Sequence, residues 1–149
     1  MTDIAPELPD EALGHLQETL LRAVLSRESL PGGGQPVDLP DLPFVLRQPA
    51  VFLSNENLAG SLSLEALPVP VHILSQEDMV EEARESGDRA YLHFQRTQEE
   101  GDAVRVTLEA KIIPQDPGQH ALGLSGVQVK FRKVDGQWVT VEDPRFLAT

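Results

Sequence analysis

Four histidines, a single tyrosine and a surplus of carboxylates are the residues with which this chain could do chemistry. His15, His72, His93 and His120 lack the close spacing of a metal-binding pair. The chain has no Cys, so no thiolate completes a metal site or serves as a nucleophile. Neither a metal nor a cofactor is expected, and no catalytic residue can be named. His72 and His93 fall in segments with strand character. If those strands pair, the two imidazoles come together, and Tyr91 with a nearby carboxylate completes a polar cluster. His72, Tyr91 and His93 are therefore the candidate ligand-binding residues. The plainer use of His93 is the wet face of its strand. His15 falls on the wet side of a helix and His120 in a loop or at a strand start.

Other groupings read as structure. Ser125 lies in Gly123-Leu124-Ser125-Gly126, where the second glycine comes one residue too early for a nucleophile elbow and strand, not helix, follows. A strand bend or bulge is expected there. Asp78, Glu81, Glu82 and Glu85 share one face of a helix, which is expected to be solvated and not to hold a cation or a basic partner. Arg105, Glu109, Lys111, Lys130 and Arg132 fall on the wet face of a sheet. Their local balance is basic, which makes that face the candidate for an anionic ligand.

The elements that must position these residues follow from hydrophobic periodicity. Leu13, Leu16, Leu20 and Val24 form a stripe at steps of three and four, which predicts a helix over 9–29. Residues 30–41 hold three glycines and three prolines and form a loop. Residues 42–149 form the sheet-containing core, with two short apolar runs, around Val45 and Phe52, on either side of Pro49. Val69–Leu74 is extended, and Pro70 puts it at an edge or at the start of a strand. Ser75 is a good N-cap, with Asp78 three residues on and Leu74 and Met79 at the spacing of a hydrophobic staple; Gly87 is a natural stop. A second helix over 76–86 is predicted.

From residue 90 onward the pattern alternates with period two. Leu92 and Phe94, Val106 and Leu108, and Val129 and Phe131 point one way, with polar residues between them, as in strands with one buried face. Those six residues are the expected core. Asp135-Gly136 is a tight hairpin turn. The fold class expected is α+β, a twisted, mainly antiparallel sheet in one domain over 1–149, with two helices packed on one face.

The run from Leu124 to Val141, with Lys133-Val134-Asp135-Gly136-Gln137-Trp138 at its turn, resembles the closing hairpin of small α+β domains of the NTF2-like or cystatin-like kind. The resemblance is confined to the C-terminal part of the chain. An NTF2-like fold implies a curved sheet wrapped on helices around a conical pocket, commonly in a dimer. The sequence yields two helices where that fold usually has three, and no family catalytic residue carries over.

Composition narrows the function classes. The 149 residues carry 24 acidic and 12 basic side chains, a formal charge of −12, which argues against general nucleic-acid binding and against anionic membranes. The N-terminus has no basic and apolar leader pattern, and no apolar run approaches the ~18 residues of a spanning helix, so a cytoplasmic location is expected. Three Lys against nine Arg, within so much acid, suits adaptation to concentrated salt. The leading expectation is a soluble, non-catalytic binding or interaction domain acting on an unknown protein or small molecule, with a homodimer as a candidate form. The alternatives are an NTF2-like pocket protein or enzyme, and an acidic secretion chaperone.

Overall fold

The computed structural model describes residues 8–33, 36–116, 118 and 121–148. The chain runs α1 (Asp10–Ser26), α2 (Leu42–Leu46), β1 (Val51–Ser54), β2 (Val71–Leu74), α3 (Gln76–Ser86), β3 (Arg89–Phe94), β4 (Gln98–Glu100), β5 (Ala103–Ile113), β6 (Leu122–Val134), β7 (Gln137–Thr140) and β8 (Arg145–Ala148). It is an α+β protein with a mainly antiparallel sheet.

Helix α1 starts behind Pro9 with Asp10 and Glu11 in its first turn, where acidic groups oppose the helix dipole. It ends at Ser26, short of the predicted bound at residue 29, because Arg27 turns left-handed at φ 55°. The Glu28 N–H then returns to the Ala23 carbonyl at 2.9 Å, closing the last turn. Helix α3 spans 76–86, as its caps predict, with the Asp78 N–H donating to Ser75 Oγ at 3.2 Å. The first of the two apolar runs flanking Pro49 is the short helix α2. Pro43 sits in its first turn, where a missing N–H costs no bond.

The sheet order is β2-β1-β3-β5-β6-β7, with β4 beside β5 and β8 beside β6. Strands β3, β5, β6 and β7 form the antiparallel meander that the alternation predicts. The turn at Asp135-Gly136 has both residues at positive φ, 50° and 80°, as a tight hairpin requires. Strand β2 is the outermost strand at its edge, just after Pro70. Strand β1 is parallel to both neighbours and touches β3 at one register pair, Leu53 with Leu92. The parallel pairings and the short strands β4 and β8 are not apparent from the sequence.

All six expected core residues are buried, together with Leu16, Leu20 and Val24 of α1 and Leu53 of β1. Each such side chain contributes on the order of 1.5–3 kcal/mol through burial. The two long helices do not share a face, contrary to expectation. Ala90, Leu92 and Phe94 point to the α1 side, and Tyr91 points the other way. There Tyr91 packs with Ile113, Phe52 and Leu74 beneath Met79 and Ala83 of α3. The period-two alternation of β3 thus feeds two cores. Among the described residues no helix is long and apolar enough to cross a membrane.

Candidate functional site

The α3 side of the sheet carries the candidate residues. Antiparallel pairing of β3 with β5 sets His93 directly opposite Glu109. His93 Nδ1 lies 2.8 Å from Glu109 Oε1, and Nε2 lies 3.4 Å from Glu56 Oε2. At 2.8 Å Nδ1 and Glu109 share one hydrogen bond. Gln95 Nε2 donates to the second oxygen of Glu109 at 3.0 Å, and Lys111 Nζ stands 3.9 Å from the first. The His93 side chain is only 13% exposed. Both ring nitrogens therefore face carboxylates, and the imidazole ties the turn bearing Glu56 to the sheet.

Tyr91 lies under α3 and is 2% exposed. Burial, and after it the charges of Glu56 and Glu109, push its hydroxyl up to about 12. At neutral pH it is a phenol and a hydrogen-bond donor. His72 does not join this group. It pairs in register with Phe52 on β1, which lies between β2 and β3, so Phe52 separates it from Tyr91. The strands of His72 and His93 do not pair, because the parallel strand β1 lies between them. His15 is exposed on α1, and His120 lies outside the described residues.

Glu56 is held from behind by a set of amides that the sequence gives no sign of. Asn57, at φ 60°, donates through Nδ2 to the Phe94 carbonyl at 2.9 Å. Gln17 is fully buried on α1; its Nε2 donates to Asn57 O at 2.8 Å and its Oε1 accepts the Ala59 N–H at 2.9 Å. Asp10 accepts the N–H groups of Gly60 and Ser61 at 2.8 and 2.9 Å. The Gly60 N–H first, then the Ser61 side chain and lastly the Ser61 N–H, hold its carboxyl below the usual carboxylate range.

The basic residues of the wet face are matched by carboxylates. Arg105 donates through Nε to Glu100 at 2.7 Å and through one terminal nitrogen to Glu142 at 2.8 Å. That pairing raises the Arg105 pKa and lowers that of Glu100. Lys130 stands 3.8 Å from Glu100, Arg132 3.1 Å from Asp102 and Arg145 3.7 Å from Glu142. The basic balance read along β5 and β6 is thus offset by carboxylates from β4, its turn and the segment before β8. An anionic ligand would have to displace them.

Ser125 sits beside a register shift between β5 and β6, the bend expected of it, and its Oγ is buried without a hydrogen-bond partner. On α3, Asp78, Glu81 and Glu85 are exposed and Glu82 is partly so. Among the described residues no group of three or more His, Asp or Glu is arranged to hold a metal ion. The larger cavities lie at the rim. One, of about 510 Å³, runs between Gly32-Gly33 and the 140–144 segment, and another, of about 660 Å³, between α1 and the β6–β7 hairpin.

Compared with known proteins, the chain matches no family model, no curated protein and no solved structure.

Proposed function

We propose that this chain is a non-catalytic interaction domain that docks its partner along the open edge of β8, and that the partner is a second copy of the chain. The observation that carries this reading is β8 itself. It pairs with β6 on one side, and among the described residues no strand pairs with the other. Phe146 is 53% exposed on one face and Leu147 38% on the other. A free strand edge flanked by exposed apolar side chains is the surface that strand addition uses.

Charge favours a copy of the chain at this place. Strands β6, β7 and β8 contain no acidic residue, and their Lys130, Arg132 and Arg145 are offset by Glu100, Asp102 and Glu142, so this edge is close to neutral in a chain of net charge −12. Two acid-coated molecules meet there with the least repulsion. Antiparallel pairing of β8 with its copy gives a closed two-fold interface. The non-catalytic part of the reading rests on Nε2 of His93: a carboxylate on Nδ1 is how a general base is oriented, but Nε2, the nitrogen that would face a substrate, meets Glu56 Oε2 at 3.4 Å instead.

Sedimentation equilibrium tests the proposal. The wild-type chain should weigh twice 16.3 kDa, and Phe146→Asp should weigh half as much with unchanged circular dichroism. A wild-type monomer at high micromolar concentration, or a dimer indifferent to Phe146→Asp and Leu147→Asp, overturns it.

A further inference from the structure

The cavity between the first turns of α1 and the β6–β7 hairpin has a volume of about 660 Å³. Trp138 forms part of its wall. This residue is half-buried and packs against the main core. Its register partner across the hairpin is Lys133. Glu11 and His15, four residues apart and both exposed on α1, stand on the facing wall. Gln137 and Pro31 complete the rim. Pro31 is fixed in place, since its carbonyl accepts the Thr140 N–H at 2.8 Å and the Thr140 hydroxyl at 3.2 Å.

The rim differs from the wet face of the sheet in one respect. Lys111 and Lys130 each stand near a carboxylate. Among the described residues neither Lys133 nor Glu11 is in an ion pair, so both heads are available to a ligand. The groove therefore offers an aromatic wall, a cationic donor, an anionic acceptor and an imidazole. This set suits a ring with one apolar face and hydroxyls around its edge.

We propose that this groove binds the pyranose ring of a neutral saccharide, stacked on Trp138, with its hydroxyls bonded by Lys133, Glu11 and His15. Charge selects against ions. Lys133 and Glu11 offset one another, the net charge of −12 opposes an approaching anion, and Lys133 opposes a cation. The site is separate from the β8 edge and stands or falls without it.

Trp138 is the only tryptophan in the chain, so its fluorescence reads the groove directly. The full chain is titrated with methyl β-D-glucopyranoside, N-acetylglucosamine and maltose across the millimolar range. At least one should give a saturable change. Lys133→Ala and His15→Ala should each weaken that sugar about tenfold, the scale of one lost hydrogen bond. Both side chains are exposed, so thermal melts should not move. Trp138→Phe, which keeps the fold, should retain weak binding by saturation-transfer NMR. No saturation by either method overturns the proposal. So does binding indifferent to both variants, or saturation by benzoate or tetramethylammonium and not by sugar.

Discussion

Gln48 takes the place of a strand beside Ala90. Its Nε2 donates to the Ala90 carbonyl at 2.7 Å, and its Oε1 accepts the Ala90 N–H at 2.8 Å. Strand β1 begins at Val51 and meets β3 only at Leu92, so the edge of β3 beside Ala90 has no backbone partner. One side-chain amide supplies both the donor and the acceptor that a neighbouring strand would give.

Gln48→Leu should therefore be costly despite its position outside any regular element. It leaves a buried N–H and a buried carbonyl unpaired at Ala90, which costs about 1–3 kcal/mol for each orphaned group. Urea denaturation should show a lower midpoint with an unchanged slope. A midpoint within error of wild type would mean that water satisfies Ala90.

Gln17 does similar work between α1 and the 57–59 turn. Gln17→Leu keeps the volume and loses two bonds, exposing the Ala59 N–H to exchange. Stability should fall by about 1–3 kcal/mol, and hydrogen exchange at Ala59 should speed up more than exchange in β5. Equal acceleration in both places would show only a global effect.

The Asp10 carboxyl is held below its usual range by the Gly60 and Ser61 donors. A group with a depressed folded pKa adds stability above its unfolded value, here 3.8, and loses it as pH falls through the folded one. Wild type should thus exceed Asp10→Ala in stability at neutral pH, and the gap should close in strong acid. A gap that persists unchanged into strong acid would assign the effect to packing instead.

Tyr91 works in the opposite sense. Its folded value, about 12, lies above the ordinary 10.0, so the fold favours the phenol. That stabilisation is complete below pH 10 and is lost as pH rises through about 12, at a limiting slope of about 1.4 kcal/mol per pH unit. Tyr91 is the only tyrosine, so phenolate absorbance reports it alone. Half-ionisation near pH 10 with a native circular dichroism spectrum would contradict the burial described for it.

The sequence made some of these relationships legible and hid others. Periodicity located α1, α3 and the meander because each buries a regular stripe, and the cap at Ser75 with the stop at Gly87 set the ends of α3. It also put His93 on the wet face. Its partner Glu109 is visible only once the β3–β5 register is known. Tyr91 reads as a wet-face residue because alternation cannot say that a helix covers that face. His72 would neighbour His93 if their strands paired, and nothing in the four residues of β1 announces the parallel strand between them. Gln17, Gln48 and Asn57 act through their side-chain amides on distant backbone, which no local pattern encodes.

The single register pair between β1 and β3 has a kinetic meaning. The meander from β3 to β7 closes through short connections and needs little loop-closure entropy. The β1–β2 pair joins it through Leu53 and Leu92, with Gln48 and Asn57 as amide rivets on either side. A seam with one register pair should open before the long β5–β6 ladder, which predicts two opening units. Native-state hydrogen exchange should find the amides of Val51–Ser54 escaping through a sub-global event, at a lower free energy than those of β5 and β6.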